Sequence, residues 1–406
     1  MKSILPSVII LLLLLVLNSC ATTSKGIPEK ASSLSIADIS EGLPQEGLWR
    51  QNIALVDMNG DGLLDILAPP TRKPKEGEGK MPHIFLSEGN KWRKGEFTFP
   101  ELDGYGYGGI AGDDINGNGS PDIALAVHSG RILLLVKDNG GFSEVPFPVE
   151  DIFHSRIIEI SDINGDGWKD ILSLSEAPFS QSYKPGGILI GINNGGNGWD
   201  IRTVEDSQGQ FGDHMALGDI NGDGKKDILT APQTLREVMK PLWFGDGKGR
   251  FEEYKGDLFM GDMDAYLASS GDVDGDGKDE AVFKVAELGT AAKSMILVLR
   301  WKGEAFEDIS KGLEAVEIQM AFDLADIDHD GKEEIVLLSD KGIEIYGYSE
   351  TGWLEEGHYA LSAPERLGVY GLRTRRDGDG SSLIVYNQGR ETAHFNRGIR
   401  AFRVMR

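Results

Sequence analysis

A nine-residue acidic loop recurs six times along the chain, and a seventh, degraded copy follows where a further repeat is due. The first copy reads Asp57-Met58-Asn59-Gly60-Asp61-Gly62-Leu63-Leu64-Asp65, and the others start at Asp114, Asp162, Asp219, Asp272 and Asp326. Oxygen-bearing side chains hold loop positions 1, 3, 5 and 9, and glycine holds position 6. Successive starts lie 48–57 residues apart. A fixed period in this range signals a propeller or a solenoid. The 406 residues are therefore an array of one small unit, not the two or three domains that length alone suggests.

The text around each loop chooses between the two architectures. A short apolar strand precedes the loop, as at 53–56, 157–160 and 215–218. A second follows it at 65–68, 122–125, 170–173 and 334–337, and a third at 83–86, 131–134, 187–190 and 342–345. A less apolar fourth closes the unit at 96–99, 142–145 and 306–309. Runs of β-branched residues bounded by glycine and aspartate are strand signals. Four short antiparallel strands make one propeller blade. The last unit stops after its third strand, 398–403, while residues 35–43 echo the fourth-strand segment 306–313. An N-terminal strand that completes the last blade closes the ring and removes its open edges. The expected fold is all-β: a seven-bladed β-propeller with four antiparallel strands per blade.

The loops themselves predict calcium. Ca²⁺ takes six to eight oxygen ligands in a permissive geometry, with a glycine allowing the sharp reversal. Position 1 is supplied by Asp57, Asp114, Asp162, Asp219, Asp272 and Asp326, and position 3 by Asn59, Asn116, Asn164, Asn221, Asp274 and Asp328. Position 5 is Asp61, Asn118, Asp166, Asp223, Asp276 and Asp330. Backbone carbonyls at position 7 belong to Leu63, Ser120, Trp168, Lys225, Lys278 and Lys332. Position 9 closes the site with Asp65, Asp122, Asp170, Asp227, Glu280 and Glu334. Asp, Asn and Gly also make good turns, which accounts for one such loop but not for six with every ligand position filled. Up to six ions are expected, tightest at the four-carboxylate loops from Asp272 and Asp326 and weakest at the loop from Asp114. The seventh copy has Arg375 at position 1 and Leu383 at position 9, so it should not bind; Arg375 is expected to pair with Asp377 or Asp379.

Nineteen of the 65 Asp and Glu sit at these ligand positions, within a formal net charge of −24. That acidity excludes nucleic acid and anionic lipid as natural partners. At the N-terminus, Lys2 precedes an apolar run over 8–17, too short for a comfortable membrane span and suited to a secretory segment. Leu17-Asn18-Ser19-Cys20 resembles a bacterial lipobox, and Cys20 is the only cysteine. The expectation is a signal peptide over 1–19, lipidation at Cys20, a tether over 20–34 and the propeller over 35–406. In that resemblance Ala21 after the cysteine favours the outer membrane, with the lipid as the sole membrane contact. A coil of this length reaches roughly 20 Å.

Loops, period and flanking strands together resemble the VCBS and FG-GAP repeats, which include the calcium-bearing propellers of integrin α-subunits. The resemblance covers roughly residues 35–406. It implies seven blades, with calcium on the face opposite the usual binding surface.

That opposite face is built from the loops at 69–81, 176–185, 232–240, 286–293 and 388–397, several of them basic and aromatic: Arg72, Lys73, Tyr183, Lys184, Arg236 and Lys240. His154, Arg156, His214, Tyr266 and Tyr370 stand at the entrances of innermost strands and are the candidate ligand residues. The reading is a calcium-stabilised binding or scaffold module on the cell envelope that recognises a glycan or a protein. The alternative is a polysaccharide lyase or hydrolase using His154, His214 and Tyr266 or Tyr370; a third reading is a purely structural assembly subunit. No sequence-adjacent catalytic motif supports the enzyme.

Overall fold

The computed structural model describes residues 34–406 apart from 75–79, 129, 139, 150–152, 176–185, 232–239, 260–262, 288–293, 314–317, 363–364, 366–368 and 390–397. Twenty-eight strands, numbered β1 to β28 in chain order, form seven four-stranded sheets. All pairings between them are antiparallel, and the protein is a seven-bladed β-propeller.

The innermost strands of blades one to seven are β2 (Ala54–Val56), β6 (Gly108–Asp113), β10 (Ser155–Ser161), β14 (Met215–Gly218), β18 (Met263–Gly271), β22 (Ile318–Ala325) and β26 (Val369–Arg376). Each is joined by its acidic loop to the second strand of the same blade. The second strands carry the longest apolar runs, such as Ile123-Ala124-Leu125-Ala126-Val127, and are buried along nearly their whole length.

Seven apolar clusters fill the spaces between blades. One joins Leu55, Ile66 and Phe85 of blade one to Leu383, Val385 and Ala401 of blade seven. The ring is closed chemically as well as geometrically. In the last blade the order is β1-β28-β27-β26, with β27 at Ser382–Gln388 and β28 at Ile399–Met405. Strand β1 (Ser35–Asp38) pairs with β28 from Ser35↔Met405 to Asp38↔Phe402.

The echo between 35–43 and 306–313 is realised atom by atom. Ser40 N and Ser310 N each bond an aspartate two residues back at 2.9 Å. Trp92 Nε1 donates to Ile39 O at 2.9 Å, and Trp353 Nε1 donates to Ile309 O at 3.0 Å. Gly42 (φ +90°) and Gly312 (φ +108°) let the chain pass those tryptophans, since a Cβ at Gly42 would lie 1.8 Å from Trp92 O.

One strand assignment is corrected. The fourth strand of blade one is β5 (Trp92–Lys94), not residues 96–99. Phe97 and Phe99 instead pack on Phe142 of blade two, with ring centroids 5.9 and 4.9 Å away.

Candidate functional site

All six acidic loops lie on one face and share one hydrogen-bond pattern, complete in the loops from Asp57, Asp114, Asp162 and Asp272 and without the position-4 donor in those from Asp219 and Asp326. In the first, Asp57 Oδ1 accepts from Gly60 N at 2.7 Å and Asp57 Oδ2 from Gly62 N at 2.9 Å. Asn59 Oδ1 accepts from Asp61 N, and Asp61 Oδ1 from Leu63 N, both at 2.9 Å. The same bonds recur from Asp162 and Asp272. Each bond folds an oxygen-bearing side chain back over the turn, so the remaining lone pairs gather above it. In the fifth loop, ligand oxygens of Asp272, Asp274 and Asp276 lie within 4.8 Å of one another, and so do those of Asp326, Asp328 and Glu334 in the sixth.

The position-9 carboxylates are the anchors. Asp65, Asp122, Asp170 and Asp227 are fully buried, Glu280 and Glu334 nearly so. Asp65 accepts from Met58 N at 2.9 Å within the loop and from Ser87 N at 2.8 Å on the third strand; Asp170 does the same with Ile163 and Asn193. Burial pushes Asp65 and Glu280 up to about 7, Asp122 and Asp227 to about 6 and Glu334 to about 8, although backbone donors pull each down. A buried carboxylate with a raised pKa is one short of positive charge. A hard divalent cation supplies it, so donor set and burial both fit calcium.

Several loops already hold a protein cation: Lys225 reaches Asp223 at 3.0 Å in the fourth and Arg406 reaches Asp328 at 3.5 Å in the sixth, and in two loops a guanidinium spans two acids. Arg300 reaches Asp274 Oδ2 at 2.5 Å and Glu280 Oε1 at 3.3 Å in the fifth loop, which sequence ranked among the tightest. In the seventh, Arg403 of β28 pairs with Asp379 and, at 3.1 Å, with Asp377, while its Nη2 also donates to Gly89 O of blade one at 2.9 Å. Arg375 does neither. It donates to Leu55 O at 3.0 Å, which corrects the expected Arg375 pairing. The seventh loop thus carries a guanidinium and lacks the position-1 and position-9 carboxylates that the other six have.

Loops of neighbouring blades are laced together. Asp279 N donates to Asp219 O at 3.0 Å, Glu333 N to Asp272 O at 2.8 Å, and Leu64 N to Asp377 Oδ1 at 2.8 Å. His329, the one loop residue outside glycine with φ in the left-handed region (+61°), bonds Gly380 O at 2.7 Å across to blade seven.

The opposite channel mouth brings together only part of the expected ligand set. Arg156 of blade three pairs with Asp213 of blade four, and Tyr370 Oη of blade seven donates to Asp213 Oδ2 at 3.2 Å. Arg156 Nη2 approaches Tyr370 Oη at 3.5 Å, and the Arg50 guanidinium lies 5.1 Å over the Tyr370 ring. Blades three and seven are not neighbours in the ring, so these side chains bridge the channel and plug it. Sequence reasoning named Arg156 and Tyr370 but missed Asp213, the acid that joins them.

His214 stands beneath the plug. Burial and the positive fields of Arg373, Arg156 and Lys284 push its pKa down to about 3. It is a neutral imidazole at physiological pH, and burial likewise raises the Tyr370 and Tyr266 phenols. His154 borders the same mouth, half-buried. Of the basic and aromatic rim residues, Tyr183, Lys184 and Arg236 lie outside the described residues; Arg72 sits 5.5 Å over the Tyr107 ring.

Beyond the plug, on the loop side, the channel opens into a chamber of about 590 Å³ lined by all seven innermost strands. Its charged floor is Arg373, with Glu159 at 3.9 Å and Asp323 at 4.0 Å.

Comparison with known proteins agrees with this architecture. The FG-GAP-like repeat matches residues 114–173 and 162–230. Integrin alpha-7 of Rattus norvegicus is 31% identical over 112 residues, which is 25% of this chain and 10% of that protein. Integrin alpha-3 of Cricetulus griseus is 29% identical over 111 residues, 25% of this chain and 11% of that protein. The chain therefore matches about a tenth of the length of these relatives. Among solved structures, BBS1N in complex with ARL6DN superposes with a TM-score of 0.59 at 14% identity, covering 93% of this chain and 98% of that one. An ancestral GH74 enzyme gives 0.55 at 12% identity, over 88% of this chain and 46% of the other. At such identities these likenesses speak to the fold alone.

Proposed function

We propose that this FG-GAP-type propeller is a calcium-braced binding module, held at the bacterial cell envelope through a lipid on Cys20. It presents its plugged face, opposite the metal loops, to a glycan or protein. The observation that carries the calcium reading is the buried position-9 carboxylate, repeated six times, each accepting from a backbone N–H of its own loop. Asp57, Asn59, Asp61, the Leu63 carbonyl and Asp65 would hold the first ion, and the corresponding residues the other five. Bound calcium supplies charge neutralisation and cross-links the two strands of each hairpin; chemistry at a substrate is not required of it.

The state of the opposite mouth favours binding over acid–base catalysis. A general acid at His214 needs an imidazolium that its surroundings suppress, and the raised phenols of Tyr370 and Tyr266 are poor bases. Anchoring rests on the lipobox-like run ending at Cys20, in a segment outside the described residues.

Titration calorimetry and melting of the metal-free protein with calcium test the brace. At a free concentration ten times Kd, each site adds about 1.4 kcal/mol, and six sites shift the melting point visibly. Absence of binding heat and of any rise in Tm would remove the calcium reading. Fatty-acid labelling of the parent but not of Cys20→Ser tests the anchor, and retention without cleavage on a glycan panel separates module from enzyme.

A further inference from the structure

The loop-side chamber is absorbed by none of these roles. We propose that it is a second binding site, for a small uncharged polyol, namely one sugar unit. The sugar's hydroxyls rest on Arg373, Glu159 and Asp323, and its carbon face lies against Ala268 and Leu217. This site is separate from the plugged face and holds whether or not that face has a ligand of its own.

Four observations converge. The chamber is near formal charge balance: Asp113, Glu159, Asp323, Asp326 and Glu333 line it against Lys226, Arg373, Arg375 and Arg376, so an ionic guest would meet little excess of opposite charge. The floor is also incompletely bonded. Of the five donors on the Arg373 guanidinium, the one in hydrogen-bond range reaches Leu372 O, at 3.5 Å. Its carboxylate neighbours stand at 3.9 and 4.0 Å, beyond direct bonding. A hydroxyl donates and accepts at once, so a pair of them set between guanidinium and carboxylate satisfies both sides.

Third, Thr374 lines the same chamber, is 4% exposed, and its Oγ1 has no hydrogen-bond partner among the described residues. Fourth, apolar side chains also line the chamber, Ala216, Leu217 and Ala268 among them, and these suit the C–H face of a pyranose. The volume falls in the range of small-molecule pockets. The Arg156–Asp213–Tyr370 bridge crosses the far end of the channel, and the chamber lies on the metal-loop side of it.

The test is saturation-transfer NMR on the calcium-loaded protein with D-glucose, D-galactose and D-mannose in turn. The expected result is transfer to the ring protons of at least one sugar. Arg373→Met weakens it by about tenfold or more, the worth of hydrogen bonds to a charged group. Ser269→Phe, which narrows the chamber without altering its charge, abolishes it. Melting curves of both variants establish that they fold; should Arg373→Met fail to fold, Ser269→Phe decides. No transfer from any of the three sugars overturns the proposal. So does transfer that survives both substitutions, because it locates the sugar elsewhere on the protein.

Discussion

Arg403→Met separates the seventh loop from the other six. The substitution keeps much of the aliphatic stem and deletes the charge. Arg403 is 7% exposed and Asp377 3%, so Asp377 becomes a buried carboxylate that retains backbone donors from Leu64 and Gly378, each at 2.8 Å, without a counter-ion. Breaking a buried pair from one side costs about 3–5 kcal/mol. The partly exposed Asp379 adds less than about 1 kcal/mol. With an unfolding entropy of about 2.1 cal/mol/K per residue over 35–406, the loss is about 4–6 °C in Tm. Scanning calorimetry in calcium and in EGTA should give the same decrement, because this loop takes no ion. Adding Asp377→Asn to Arg403→Met should recover part of it by removing the stranded charge. A decrement that calcium erases, or a Tm within about 1 °C of the parent as for an ordinary surface change, would refute the assignment of Arg403 as a resident cation.

Two further outcomes follow from the same geometry. Arg300→Gln should tighten calcium at the fifth loop by about two- to fivefold, the worth of one partly exposed ion pair, as read by calorimetry. His214 is depressed to about 3 from an ordinary 6.5, so the unfolded chain binds its proton first. Its contribution to stability is complete above pH 6.5 and is lost as pH falls toward 3, and His214→Gln should flatten that part of the Tm-versus-pH profile.

The blade architecture was legible because its determinants are local. Each loop writes its ligand pattern into nine consecutive residues, and each second strand is a short apolar run bounded by that loop. The fourth strand of blade one was misplaced because Trp92-Arg93-Lys94 has one apolar residue, while Phe97 and Phe99 alternate like a strand yet pack onto a neighbouring blade. Contacts between segments distant in the chain left no local signal. Arg403 lies 26 residues from Asp377, and nothing in the sequence says that it, and not the adjacent Arg375, enters the loop. The same holds for Asp213, which joins side chains from blades three and seven, and for the chamber, which draws on all seven blades.

The edge strand β1 sets how the molecule meets mechanical load. Tension applied from the N-terminal side enters through four residue pairs with β28, reinforced by the Arg400–Asp38 ion pair and by Ser40 Oγ accepting from Ala401 N at 3.0 Å. That joint is the shortest seam in blade seven. Under sufficient force it would part first, like a fuse, leaving the six blades built from contiguous chain intact behind it.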